Sequence, residues 1–255
     1  MISGYLQYVK VMPVHLISGG YANTYLIQDR DCLVAVDVGT SAAAKQIQRY
    51  LSHRCIDASS LKMVTATHFH IDHVAGIPKL VELFPETNVC FFTMVGGYLS
   101  RKDKICLFPP SLWLKGLLPV FMALENHIKN TAAALMSDAV AIPLPLLRMR
   151  LPSHYTAKCT LKQGKQIPSL ANWDLIETPG HTHDSICFYN REEKTLISGD
   201  TILNLKGCGE LNTFCCDGNA IKESFKKLSR LSIKHIYPGH GEPLPNLDGL
   251  GTIIH

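Results

Sequence analysis

Three histidines and an aspartate crowd into seven positions of the stretch THFHIDH, residues 67–73. Packed into a core, His68, His70, Asp72 and His73 would each demand a polar partner. A solvated loop gives no reason to choose imidazole three times. Metal ligation is the chemistry that calls for this composition. From a loop at a strand end, His68 and His70 can reach one ion while Asp72 and His73 turn toward a second. Imidazole together with carboxylate suits zinc, with iron or manganese as alternatives.

Three distant stretches each add a candidate ligand. TPGHTHDS (178–185) offers His181, with His183 as a weaker neighbour. LISGDT (196–201) offers Asp200, after a glycine that permits close approach, and YPGHGEP (237–243) offers His240. Loops at strand ends are where a rigid scaffold can aim separate ligands at one point.

The elements needed for this are legible as periodicity. VMPVHLI (11–17), ANTYLIQ (22–28) and CLVAVDVG (32–39) read as strands separated by Ser-Gly-Gly and Asp-Arg-Asp turns. SAAAKQIQRYL (41–51) reads as a helix with Ser41 as its N-cap. KMVTAT (62–67) is a short strand running into the histidine cluster. GIPKLVELFP (76–85) reads as a helix closed by proline, and NVCFF (88–92) as a strand. In the second half WDLIETPG, SICFYN and KTLISGD read as strands, NAIKESFKKLSRL (219–231) as an amphipathic helix, and IKHIYPGHG as a last strand and turn. Strands and helices in both halves predict an α/β protein with two sheets and helices outside, a single domain over residues 1–255.

Residues 94–157 break this rhythm. LFPPSLWLKGLLPVFMAL (107–124) is strongly apolar, but its prolines, Gly116 and Lys115 interrupt it, and a membrane span needs about 20 uninterrupted apolar residues. The stretch reads as an inserted helical element. Ten Lys and Arg against three Asp and Glu lie between 101 and 165, so this part carries +7 and the rest −3. The nine cysteines are odd in number and form no CxxC pair. With no secretory leader legible at the start, they predict a reduced, cytoplasmic protein in which most cysteines act as small buried hydrophobes. Cys215-Cys216 is the one pair of interest.

The order HxHxDH, TPGHT, SGDT and YPGHG resembles the metallo-β-lactamase superfamily, over roughly residues 10–93 and 158–245. The resemblance implies an αββα sandwich with the site at one edge of the two sheets. It implies a first metal on His68, His70 and His181, and a second on Asp72, His73 and His240, with Asp200 bridging them. VAVDVGT (34–40) matches the family's early strand, which makes Asp37 a buried carboxylate supporting the metal loop. Aspartate and histidine stand at the second metal where lactam-hydrolysing members often have cysteine, so β-lactams are not the expected substrate.

Two divalent ions in such a site would bring a shared water toward hydroxide at neutral pH and polarise a carbonyl or phosphoryl oxygen. Asp72 is the expected catalytic carboxylate, holding the hydroxide and moving a proton to the leaving group. The expected reaction is hydrolysis of an ester-like small-molecule substrate, a thioester or lactone with an apolar acyl part. The sequence resembles the glyoxalase II-like and lactonase-like branch. The tripeptide Gly207-Cys208-Gly209 echoes the glutathione-thioester hydrolases, but Glu210 stands where arginine is usual there, so it reads as a turn. The insertion lacks the interleaved basic and aromatic residues of a nucleic-acid surface. Within it Trp113, Leu117 and Phe121 would line a substrate lid, the alternatives being a structural cap, a homodimer interface or a shallow membrane contact. Two other readings of the metal motifs stay open: a persulfide dioxygenase with one iron held by His68, His181 and Asp200, and a metal-binding regulatory protein without turnover.

Overall fold

The structure is a computed structural model that describes residues 14–17, 21–106, 157–205, 207–247 and 250. The first sheet runs β1 (Val14–Ile17), β2 (Thr24–Asp29), β3 (Cys32–Val36), β4 (Leu61–Thr65), β5 (Asn88–Phe92) and β6 (Cys159–Leu161), in that spatial order. β1, β2 and β3 pair antiparallel, and β3 to β6 are parallel. Parallel neighbours need a crossover, supplied by α1 (Ser41–His53) between β3 and β4. The short helices α2 (Ile71–Val74) and α3 (Ile77–Leu83) serve between β4 and β5. The second sheet has the order β12-β9-β8-β7, made of β7 (Trp173–Glu177), β8 (Ile186–Asn190), β9 (Thr195–Gly199) and β12 (His235–Pro238). A small ribbon pairs β10 (Ile202–Leu203) with β11 (Glu210–Leu211).

Alternation along the strands makes the layers. Tyr25, Ile27, Val34, Val36 and Met63 from the first sheet meet Trp173, Leu175, Ile186, Phe188 and Ile197 from the second in one buried cluster. On the outer face Leu26, Leu33, Ala35 and Val64 pack under Ala43, Ala44, Ile47 and Leu51 of α1 and Leu80 of α3. The outer face of the second sheet, with Cys187, Tyr189, Leu196 and Ile236, is covered by Phe225 and Leu228 of α5 (Gly218–Leu228). The result is an αββα sandwich whose inner strands β3, β8 and β9 bury both faces, which is why they read as near-continuous apolar runs.

Strand direction decides where the polar loops go. β7 and β9 are each antiparallel to β8, and β12 is parallel to β9, so β7, β9 and β12 point the same way. Their C-terminal ends deliver His181, Asp200 and His240 to one edge. β4 delivers THFHIDH from the other sheet, and Ile186 N–H donating to Thr67 O at 2.9 Å stitches the two edges together.

Several expectations need correction. The N-cap of α1 is Thr40, not Ser41: Thr40 is extended (φ −141°, ψ 157°) and its hydroxyl accepts from Ala43 N–H at 3.0 Å. The thiols are not all free: Cys90 pairs with Cys159 and Cys106 with Cys216, separated by 69 and 110 residues in sequence. Cys90 and Cys159 face each other in the β5–β6 register, and no short sequence spacing announces such a pair. Cys216 thus finds Cys106 and leaves Cys215 free. The strands β6, β10 and β11 escaped periodicity because each has three residues or fewer. Of the stretch 94–157 the structure describes α4 (Val95–Leu99) and a turn beyond it. Trp113, Leu117 and Phe121 lie outside the described residues. Among the described residues no helix is long and apolar enough to cross a membrane.

Phe188 is wholly buried between the sheets. Phe188→Ala should lower the unfolding free energy by about 3–5 kcal/mol through lost burial and an unfilled cavity, measured by denaturant titration of the metal-free protein.

Candidate metal centre

Beyond β4 the chain bends at Thr67 and His68 and is extended at His70, and this loop brings the rings of His68 and His70 together at the sheet edge, their centroids 4.6 Å apart. Phe69 turns the other way into the core, edge-on to Phe91 with ring centroids 5.3 Å apart. The chain then enters α2, with His70 as its extended N-cap residue, and the helical turn swings Asp72 and His73 to the same cavity.

Ring nitrogens converge there. His68 Nε2 lies 3.0 Å from His70 Nδ1, and His181 Nε2 lies 3.2 Å from the same atom. A tetrahedral ion with metal–nitrogen bonds near 2.0–2.1 Å needs ligand nitrogens about 3.3 Å apart, so this trio has the right spread. Asp72, His73 and His240 form a second group whose ligand atoms all fall within 4.8 Å of one another. His240 Nε2 stands 3.4 Å from Asp72 Oδ2, and His73 Nε2 stands 3.7 Å from it. Asp200 lies between the groups: its Oδ2 is 3.4 Å from both His181 Nε2 and His240 Nε2, and its Oδ1 is 3.5 Å from His73 Nε2. All seven side chains singled out in the sequence therefore meet in one site. His183, the weaker neighbour, is exposed and outside it.

Acceptors stand behind the outer ring nitrogens of His68, His181 and His240, an arrangement that turns the inner nitrogens toward an ion once they are deprotonated. Phe214 O takes the proton of His181 Nδ1 at 2.7 Å, and Tyr21 O that of His240 Nδ1 at 3.3 Å. Thr67 Oγ1 donates to Asp37 Oδ2 at 2.9 Å and so can accept from His68 Nδ1 at 3.2 Å. Asp37 itself is wholly buried, in the left-handed region at φ 59°, with its Oδ1 accepting from Thr67 N–H at 2.7 Å and its Oδ2 3.2 Å from His73 Nδ1. Close approach at the last loop depends on Gly239, where any Cβ would collide with Asp200 Oδ1.

Charge divides the site. Burial lowers His68, His70 and His181, and the neighbouring imidazoles push the first two further; His70 falls to about 3. These three imidazoles are held neutral and could accept an ion. Burial acts against the protonated form of His73 too, but Asp72, Asp37 and Asp200 outweigh it and raise this imidazole to about 9. His240 is likewise raised against burial by Asp200 and Asp72. Burial would raise the two carboxyls, yet His73 and His240 hold Asp72 and Asp200 far below the carboxylate range. His73 Nε2 and Asp200 Oδ1 are nonetheless buried with no hydrogen bond among the described residues. Orphaned ligand atoms, neutral imidazoles and converging carboxylates fit a bound cation.

Sequence reasoning missed some supports. Asn212 donates to Asp200 O at 2.9 Å and accepts from Phe214 N–H at 2.9 Å, fixing the segment that holds His181. Nothing in its local sequence announces this. Asp184 lay inside the quoted TPGHTHDS, but its acceptor role needs the other sheet.

The two halves of the site should differ in proton release. At pH 7 a first equivalent of zinc on His68, His70 and His181 should release almost none. A second, on Asp72, His73 and His240, should release about one to two protons, read by calorimetry in buffers of different ionisation enthalpy. The affinity for the second equivalent should climb with pH up to about 9. In the metal-free protein the raised His73 pKa contributes stability fully present below its ordinary value of 6.5 and lost as pH rises through about 9. Thermal unfolding without metal should show that loss.

Comparison with known proteins places the chain in one family. The chain is 25% identical over 242 residues to the probable metallo-hydrolase YqjP of Bacillus subtilis, covering 89% of this chain and 69% of the relative. It is 27% identical over 196 residues to a hydroxyacylglutathione hydrolase of Francisella tularensis subsp. novicida, covering 76% of this chain but 55% of that protein's length. In fold it is similar to TTHA1623, solved in a di-iron-bound form, with a TM-score of 0.57, 20% identity, and 92% and 94% of the two chains covered. The profile of the metallo-beta-lactamase superfamily matches residues 17–91 and 162–240, both flanks of the interrupted stretch. On these grounds the chain belongs to the metallo-beta-lactamase superfamily and is a hydrolase of that family.

Proposed function

We propose that this chain is a two-metal hydrolase of ester-like bonds, with a thioester as the foremost substrate class and a lactone next. The observation that carries the reading is the pair of ligand groups joined by Asp200, His68/His70/His181 on one side and Asp72/His73/His240 on the other. When bound, two divalent ions supply water activation at neutral pH and polarisation of the scissile carbonyl. Zinc is the proposed metal, and the di-iron neighbour keeps iron as the main competitor. The hydroxyacylglutathione hydrolase relative is what favours a thioester.

The chain's own residues divide the remaining work. Asp72 has the most exposed side chain among the ion-paired members of the site, at 30% against 10% or less for His73, His181, Asp200 and His240. It therefore faces the mouth, where a carboxylate can take a proton from attacking water and return it to the leaving group. Asp200 is buried and holds the two groups in register. His73 is fixed from behind by Asp37. Gly207, at φ 82°, and Cys208 lie in bends before β11, and this reading gives the tripeptide 207–209 no role that requires glutathione itself.

Asp72→Ala should lower kcat by about 100-fold or more on a thioester panel. His70→Ala should do the same through lost metal, with circular dichroism unchanged in both variants. Chelator treatment should abolish turnover and added zinc restore it. Elemental mass spectrometry on protein purified without chelator or nickel should find about two ions per chain. About one iron per chain, with oxygen uptake on a persulfide, would replace this reading with sulfur oxidation on His68, His181 and Asp200.

A further inference from the structure

The loop carrying His68 and His70 is tied down at three backbone groups. Two are at Thr67: its N–H donates to Asp37 Oδ1 at 2.7 Å, and its carbonyl accepts from Ile186 N–H at 2.9 Å. The third is the N–H of Phe69, the residue between the two histidines, which donates to Asp184 Oδ2 at 2.8 Å. Asp184 comes from the far half of the chain, 115 residues away, and is 1% exposed. Its other oxygen, Oδ1, accepts from the Tyr98 hydroxyl at 3.3 Å. Tyr98 is buried on α4, and its ring lies 6.3 Å from that of Phe69.

A buried carboxylate is expensive unless its oxygens are satisfied. Here the Phe69 N–H and the Tyr98 hydroxyl each meet one oxygen, joined by the Thr182 side chain and Asp184's own backbone N–H. The acceptor also sits on the segment that carries His181, three residues further along. One side chain therefore fixes the separation between the strand-end loop that presents His68 and His70 and the loop that presents His181. Those three ring nitrogens need their mutual spread of about 3 Å held to a few tenths of an ångström if they are to share an ion.

We propose that Asp184 is a positioning residue for the three-imidazole site, setting its ion affinity by clamping Phe69 N–H between His68 and His70. The inference rests on those imidazoles being ligands, as in the function proposed above. Asp184 touches neither ion nor substrate. Its effect belongs in affinity and coordination geometry.

The test is zinc affinity by chelator competition on the full chain, with the visible spectrum of the cobalt-substituted protein as a second readout. Asp184→Ala should weaken the tighter ion by about 10–100-fold and alter the cobalt bands. Asp184→Asn, whose amide oxygen still accepts from Phe69 N–H, should stay within about fivefold of the native chain and keep its spectrum. Native affinity and spectrum in a folded Asp184→Ala variant would overturn the proposal, as would equal losses in both variants. Should Asp184→Ala not fold, Asp184→Asn decides alone: retention supports the clamp and a tenfold or greater loss refutes it. His68→Ala separates this from the metal reading. If His68→Ala also binds like the native chain, the imidazole site itself has failed. If only His68→Ala loses the ion, the role of Asp184 alone has failed.

Discussion

The carboxylate of Asp37 is the constraint on which the rest of the molecule turns. It ends β3 in the left-handed region, wholly buried, and it reaches the backbone and hydroxyl of Thr67 and the ring of His73. Its own carbonyl accepts from Thr24 Oγ1 at 2.6 Å, which ties it back into β2. A non-glycine residue tolerates this backbone when a short polar side chain finds local partners, as aspartate does. Through these bonds the first sheet, the strand-end loop and the short helix bearing His73 become one rigid unit. A metal loop without that support would have to order itself at the moment of binding.

Electrostatics then divides that unit into two parts. Three imidazoles stripped of water remain neutral, because burial and one another's presence disfavour charge. Two others are raised because Asp72 and Asp200 stand beside them. In the absence of cations the second group stores protons where the ions would bring charge. A cation entering there exchanges with protons and meets carboxylates that are already ionised, so the polar core can stay intact through loading and release. The cost of burying four polar loops at one edge is offset by the apolar layers behind them, where Tyr25, Ile27, Phe188 and Ile197 are fully enclosed.

The same edge brings in the segments flanking the interrupted stretch. α4 supplies Tyr98 to Asp184, and Cys106 beyond it pairs with Cys216. The N–H of Cys216 in turn donates to Gly180 O at 2.8 Å and His181 O at 3.1 Å. Both the start of that stretch and the segment after β11 are thereby fastened to the His181 loop.

Composition and spacing by themselves pointed to the candidate metal centre: four His and Asp side chains in seven residues, three more each at the end of an apolar run, and the layered α/β architecture that such runs imply. Adjacent residues share a site because the chain joins them, so THFHIDH is legible locally, and long buried strands announce themselves because both faces are apolar. Which distant loops meet was decided by strand direction, since β7, β9 and β12 must run the same way for His181, Asp200 and His240 to reach one edge. Short strands, the Cys90–Cys159 and Cys106–Cys216 pairs and the Thr40 cap were fixed only by register and backbone angles. Asp184 is the clearest case. Its partner is the N–H of Phe69, a group every residue but proline carries, so no side-chain pattern could mark the bond before folding brought the two together.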